Sequence, residues 1–365
     1  MPSPYFLVSF WVGLLVRMHV HFGNCSITHA ARPMRRASSA LLMFFLTFVT
    51  LLSFLLNSGK KRSYQLNYAY FGPGSMGRLD PPWSEGNGAE RILRIDSSQI
   101  DSIYNYKQSQ QSKKILTIAM LFYDDDNFLI QNIDVWEQFP ESVMSKTKFL
   151  IIDDGSPRST ALQIIQTKSK LADIDVVRII EDKKWNIGGA RNLAMSLSST
   201  EYVFLTDSDL TFNSVFVGAL FLLVEHARST FFRKREELIF TQFPRNYTDS
   251  RESKPHPAVM LLSTHAYWKA GGCDEDFVGS YGYTDPHFHW RVARTPGLNS
   301  VSATSVFPSI ASMVEMEKNL GSYASKGAYL DRDVTRNAKL FSEKCTGSRP
   351  WSNHYLRFRW KVENE

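Results

Sequence analysis

Between Lys114 and Leu205, four uninterrupted apolar runs, "KILTIAMLFY", "TKFLIIDD", "DVVRII" and "EYVFL", alternate with segments of helical composition. A strand that is apolar throughout must be covered on both faces, which is the condition of a parallel sheet with helices above and below it. Parallel neighbours also need long crossovers. The spacing provides them as a helix through Val135, a second from Ser159, and a third from Gly188 after a glycine turn. The expected fold is therefore α/β, with a mostly parallel central sheet and helices on both faces. In such sheets ligands bind beyond the carboxyl ends of the strands.

Acids gather at that edge. Asp153 and Asp154 end the second run in "IIDDGS", and Asp207 and Asp209 end the fourth in "FLTDSDL". An acid there can simply cap the next helix, so for Asp154-Gly155-Ser156 capping and ligand contact both stay open. Asp207 and Asp209 are a different case, because neighbouring carboxylates repel unless a cation sits between them. Hard divalent cations such as Mg²⁺ or Mn²⁺ take oxygen ligands from one or two carboxylates and from substrate phosphates. Between the two clusters, "WNIGGARNLA" offers Gly188 and Gly189 for a tight turn with close backbone approach. Arg191 and Asn192 are expected in the first turn of the following helix, reaching back over the same edge toward an anionic ligand. Asp124-Asp125-Asp126, after the first run, reads as a solvated acidic loop.

Further on, "WKAGGCDEDFVGSYGYTDPHFHWRV" (Trp268 to Val292) adds a double glycine, an acid patch, and Asp285 opening a helix that carries Arg291. With this fourth motif in place, the chain from about Lys114 to Val292 resembles the family 2 glycosyltransferases of GT-A fold. Asp153-Asp154-Gly155-Ser156 matches their strand-end motif, and Asn186, Gly188, Arg191 and Asn192 match their Asn-x-Gly-x-x-x-Arg-Asn pattern. Asp207-Ser208-Asp209 is their Asp-x-Asp, and Gly271-Gly272-Cys273-Asp274-Glu275 begins the last motif. The resemblance implies that Asp153 or Asp154 contacts the nucleotide base and that Arg191, with Asn186, Gly188 and Asn192, helps hold the nucleotide. It also implies that Asp207 and Asp209 bind the Mn²⁺ or Mg²⁺ bridging the donor diphosphate, Asp209 most directly. The family's base is the Asp of a Glu-Asp pair, which falls on Thr284-Asp285, so Asp285 is the expected base and the Glu is replaced.

The implied reaction is inverting single displacement. It moves a sugar from a nucleotide-diphosphate sugar, with a UDP-sugar expected, to a hydroxyl of a glycan, glycoprotein or glycolipid. "LRFRW" (Leu356 to Trp360) is similar to the Gln-x-x-Arg-Trp signature of processive synthases, with Leu in place of Gln. Those synthases continue into membrane helices, so a non-processive enzyme is expected here, with "RPWSNHYLRFRW" as a closing or acceptor-side segment. Two other classes share some of these features. A nucleotidyltransferase uses similar strand-end acids, but generally carries a glycine-rich phosphate loop early in the domain, which "MLFYDDDNFL" lacks. A silent sugar-binding scaffold would be consistent with the missing Glu.

Charge excludes a nucleic-acid partner. The net +6 arises before Ser63, where seven basic residues meet no acid, and beyond it 35 basic residues face 36 acids. The basic residues flank "ALLMFFLTFVTLLSFLL", Ala40 to Leu56, which at 1.5 Å per residue spans roughly 26 Å, a fit to the thinner bilayers of the early secretory pathway. The expected organisation is a tail over 1–39, a transmembrane signal anchor over 40–56 and a flexible Gly/Pro/Ser-rich stem over 57–112. A GT-A domain over 113–345 and a terminal segment over 346–365 complete it. Localisation is expected to be single-pass type II in the Golgi membrane with the catalytic domain luminal, translation starting at Met1 or Met34. Asn246-Tyr247-Thr248 is a glycosylation sequon. Cys273 and Cys345 could pair in an oxidising lumen. His287 and His289 read as packing or acceptor-contact residues with a metal role as the alternative, and His265 is comparable.

Overall fold

The computed structural model describes residues 114–316, apart from 170, 172 and 248–254, together with 332–363 and the isolated positions 99, 102–103 and 105–107. The expected anchor Ala40–Leu56 and nearly all of the stem lie outside the described residues. The chain divides into units 1–78 and 79–365, and everything below concerns the second.

The four apolar runs form strands β1 (Leu116–Phe122), β2 (Thr147–Asp153), β3 (Ile174–Ile179) and β4 (Tyr202–Asp207), all parallel. Seven more strands follow: β5 (Leu210–Thr211), β6 (Glu237–Thr241), β7 (Arg245–Tyr247), β8 (Met260–Ser263), β9 (Leu298–Ser302), β10 (Met313–Glu315) and β11 (Trp360–Val362). The main sheet has the order β11-β3-β2-β1-β4-β8-β6-β9, in which only β8 and β11 run against the rest, and β5-β10-β7 make a small second sheet. This is a mostly parallel α/β architecture with helices on both faces, as the sequence predicts. Register does the work of placing the acids. Phe122 at the end of β1 lies opposite Asp153, and Leu121 lies opposite Asp207, so the acids of β2 and β4 flank one strand end.

Both faces of the sheet are buried, as continuous apolar strands require. Leu116, Ile118, Met120, Phe149, Ile151 and Phe204 point into one core with the helices Asp126–Trp136, Ala161–Lys168 and Ser214–Lys234. Ala119, Leu150, Ile152, Val203 and Leu205 point into the other, beneath the helices Ile187–Leu197, Thr264–Lys269 and Thr284–Val292. The second crossover helix begins at Ala161 rather than Ser159, because Thr160 forms a capping box with Gln163. Among the described residues, Ser214–Lys234 is the one helix long and apolar enough to cross a membrane. Its Phe216, Leu220, Leu223, Val224 and Ala227 pack in the sheet core.

The terminal segment joins the sheet as β11, antiparallel to β3, and Tyr355, Leu356 and Phe358 enter the second core. Its attachment is polar and buried. Glu275 accepts hydrogen bonds from the backbone of Leu356 (2.7 Å) and Arg357 (3.1 Å), and Lys344, fully buried, lies 2.8 Å from both Asp274 and Asp276. A buried ammonium needs such pairing, since its charge is otherwise strongly disfavoured.

Candidate active site

Asp153 ends β2 and Asp154 follows it, and the structure gives the two side chains different partners. The Asp153 carboxylate, 1 % exposed, accepts from the backbone N–H of Ser156 (2.8 Å) and of Ala161 (3.0 Å), with Arg178 at 3.6 Å. It ties the strand end to the next helix, which is the capping alternative. Asp154 instead accepts from Asn186 Nδ2 at 2.8 Å across the sheet edge. Burial pushes its pKa well above the ordinary carboxyl value, against the hydrogen bond from Asn186, and the charges of Asp153 and Asp182 add to the rise. The intervening turn needs Gly155, because at φ +79° a Cβ there would lie 2.8 Å from Glu181 O.

The raised value makes a pH prediction. An acid whose folded pKa exceeds its unfolded value contributes stability in full below the unfolded pKa, about 3.9, and loses it as pH rises through the folded one. Asp154→Asn keeps the shape and cannot ionise. Chemical unfolding measured across pH should therefore show the variant gaining relative to the parent as pH rises. Parallel curves would show that Asp154 is ionised in the fold.

The expected solvated loop at Asp124-Asp125-Asp126 is instead largely interior, Asp124 being 3 % and Asp125 7 % exposed. Asp124, at φ +51°, receives Arg158 Nε at 2.7 Å, and its N–H donates to Ser156 Oγ at 2.9 Å. The loops after β1 and β2 are thereby clasped together at the edge.

Asp207 and Asp209 are joined by a residue the sequence did not single out. Asp207, Asp209 and His256 each offer one ligand atom, all within 4.8 Å of one another. The turn that carries the two acids is pinned from below by Asn132, a buried amide on an otherwise apolar helix face, which donates to Ser208 O at 2.9 Å. Burial raises the Asp207 pKa. Arg191 and His256 pull it back, and Asp209 and Asp285 push it further up. A carboxylate disfavoured in this way gains from a nearby cation, so the donor set fits a divalent metal. His256 Nδ1 accepts from Ala258 N at 3.2 Å, which in the neutral ring leaves the proton on Nε2, facing Asp207 Oδ2 at 3.9 Å. Ligation through Nε2 requires that tautomer to switch.

The helix Ile187–Leu197 is buried along nearly its whole length, so each polar side chain on it must find a partner. Arg191, in its second turn rather than its first, pairs with Asp285 through Nη1, while Nη2 lies 3.9 Å from Asp207 and 3.5 Å from Ala258 O. One guanidinium thus joins the metal-side acid, the expected base and the loop bearing His256. Burial works against its charge, but Asp285 and Asp207 outweigh this and raise its pKa. Asn192 faces elsewhere. It donates to Cys273 O (3.0 Å) and Glu275 (2.8 Å) and accepts from Tyr267 Oη (2.7 Å) and Cys273 N (2.9 Å), so the amide is fully engaged within the protein. Gly188 and Gly189 are helical rather than in a turn. Their close approach is internal, since a Cβ on Gly189 would lie 2.5 Å from the Phe358 ring and one on Gly188 3.3 Å from Thr284.

Asp285 lies in the first turn of the helix Thr284–Val292, with its side chain 23 % exposed. Arg291 on the same helix binds the carbonyls of Gly272 (2.9 Å) and Gly271 (2.6 Å) and stacks on Trp351. His287 is fully buried among Phe277, Trp290, Phe341 and Trp351, as a packing residue. His289 lies 3.2 Å from Pro257 O, supporting the loop beside His256, and His265 pairs with Glu237. Cys273 and Cys345 are free thiols. Asn246 is exposed on β7, opposite Val314.

Residues 117–256 match the sequence profile of the family described as Glycosyl transferase family 2. No curated protein matches the chain in sequence. Among solved structures, that of TarS 1-349 from S. aureus in complex with UDP-GlcNAc aligns at 12 % identity with a TM-score of 0.42, over 56 % of this chain and 59 % of that one. The mannosyltransferase PcManGT from Pyrobaculum calidifontis, in complex with GDP-Man and Mn²⁺, aligns at 14 % identity with a TM-score of 0.40, over 67 % of this chain and 71 % of that one. The chain spans under two thirds of the length of TarS 1-349 in the UDP-GlcNAc complex.

Proposed function

From the premise that this chain carries a glycosyl transferase family 2 domain, we propose that it transfers a sugar from a nucleotide-diphosphate sugar to an acceptor hydroxyl with inversion. The observation that carries the reading is the single constellation of Asp207, Asp209 and His256 on one side of Arg191 and Asp285 on the other. Asp207 and Asp209, with His256, would hold Mn²⁺ against the donor diphosphate. A mixed carboxylate and imidazole set suits Mn²⁺ better than Mg²⁺, which favours oxygen alone. The cation supplies neutralisation of the charge that develops on the leaving diphosphate. Arg191 reaches the same region and adds a fixed positive charge there.

Asp285 takes the proton from the acceptor hydroxyl. The new bond joins that oxygen to the anomeric carbon, the bond from this carbon to the phosphate oxygen breaks, and the nucleoside diphosphate leaves. Backside attack inverts the centre. Asp154, buried and held by Asn186 at the strand end, is the acid read as the nucleobase contact. The domain is read as luminal in the Golgi, tethered by Ala40–Leu56, and adding one sugar per encounter. The test is release of nucleoside diphosphate from a panel of UDP- and GDP-sugars with Mn²⁺, using microsomes carrying the full chain. Activity should be Mn²⁺-dependent, selective for one donor, and latent until detergent opens the vesicles. Failure of every donor with Mn²⁺ and detergent would favour the scaffold reading, and transfer of a nucleotidyl group would favour the nucleotidyltransferase.

A further inference from the structure

A cavity of about 260 Å³ lies where the loop before the helix Ile187–Leu197 meets the segment 275–278, the start of the helix Thr335–Thr346 and the terminal segment. Four of its lining residues are cations, Lys183, Arg336, Arg349 and Arg357. Its two acids are already engaged. Glu275 accepts from the backbone of Leu356 and Arg357 and from Asn192, and Asp276 accepts from Lys344 and Arg357, both at 2.8 Å. Two of the cations meet neutral groups. Lys183 donates to Arg357 O, and Arg336 donates to the carbonyls of Asp276 (2.9 Å) and Val278 (3.3 Å) and to Asn337 Oδ1 (2.9 Å). Arg349 is 52 % exposed with its Glu343 partner at 3.8 Å. Arg357 is paired with Asp276 and Arg349 with Glu343, but Lys183 and Arg336 bond only neutral oxygens, and these two cations leave a positive field at the open recess for an anion to meet.

Asn186, which holds Asp154, also lines the cavity, and two features connect this cavity to the loop ahead of Asp285. Its wall belongs to the loop that presents Asp285, since Asn337, beside Arg336, donates to the carbonyls of Phe277, Ser280 and Gly282 just ahead of Thr284. Beside it, Trp185 and Tyr281 meet with ring centroids 4.7 Å apart, both partly exposed, and Arg332 lies over Tyr281 at 5.5 Å. An aromatic surface next to a cluster of guanidinium groups suits a sugar ring that carries an anionic substituent.

We propose that this cavity is an acceptor subsite for an acidic sugar, binding its carboxylate or sulfate. The proposal rests on the transferase reading above and names its acceptor class. The test uses the full chain in detergent at low ionic strength, with sodium glucuronate, inorganic sulfate and neutral glucose as probes in calorimetric titrations. Glucuronate and sulfate should bind and glucose should not, and whichever anion binds more tightly identifies the carboxylate or the sulfate as the group recognised. Lys183→Gln and Arg336→Gln should each weaken anion binding about tenfold, while affinity for UDP with Mn²⁺ stays unchanged. Lys183→Gln guards against a folding defect, because Lys183 bonds a single carbonyl. The proposal is overturned if neither anion binds, if both variants bind as the parent does, or if UDP with Mn²⁺ displaces the anion one for one, which would make the cavity part of the donor's phosphate site. Loss of UDP binding by the parent itself would count against the transferase reading instead.

Discussion

Asp285→Asn is expected to lower sugar transfer by about 10²-fold or more while leaving affinity for nucleotide and Mn²⁺ unchanged. The amide matches the carboxylate in size and still accepts a hydrogen bond from Arg191, so the buried guanidinium keeps a partner and the first helical turn its shape. What it cannot do is accept a proton from the acceptor hydroxyl. A competing account makes Asp285 only the counter-ion that positions Arg191. Arg191 also approaches Asp207, so that account predicts weaker donor binding together with slower transfer. Steady-state kinetics with donor titrations at saturating acceptor separate the two. A fall in kcat at constant donor KM supports the base, whereas a fall in kcat accompanied by a rise in donor KM assigns Asp285 to positioning.

The parallel half of the fold was legible because β1 to β4 are buried on both faces, which forces continuous apolar runs. Strands β6, β8, β9 and β11 were not read. They are three to five residues long, and β11 depends on a pairing with β3 formed across most of the domain. The acids at the strand ends were legible as a group, but their division of labour was not. That Asp153 caps while Asp154 bonds Asn186 depends on where the helix at Ala161 begins, and that shifted by two residues with the Thr160 box. Asp274, Glu275 and Asp276, the acid patch shortly before Asp285, are taken up by Ser352, Leu356, Arg357 and Lys344. Their partners lie in a segment whose docking no local pattern announces. Asn132 did leave a signal, as an amide among Leu129, Ile133 and Trp136 on a buried face. His256 left none beyond its place between two prolines, and only the approach of that loop to β4 brings it to Asp207.

Asp209→Asn is expected to weaken Mn²⁺-dependent nucleotide binding by at least about 100-fold, with little change in melting temperature. Disturbing a group that merely orients a metal ligand costs about 10–100-fold, and removing a charged ligand from a site with three protein donors costs more. The fold should tolerate the change because the backbone ties at this turn, Asn132 to Ser208 O and Met316 N to Asp209 O, do not involve the carboxylate. His256→Ala supplies the second arm. If the imidazole ligates, its loss should reduce Mn²⁺ affinity and erase the preference for Mn²⁺ over Mg²⁺, since an oxygen-only site remains. If it stays in the tautomer that Ala258 favours, it donates from Nε2 to Asp207 or to a donor phosphate, and its loss should weaken nucleotide binding equally with either metal. Titration of the nucleotide with each cation decides between these roles. Unchanged Mn²⁺-dependent binding by Asp209→Asn would remove the metal from this edge altogether and leave Arg191 as the group that meets the diphosphate.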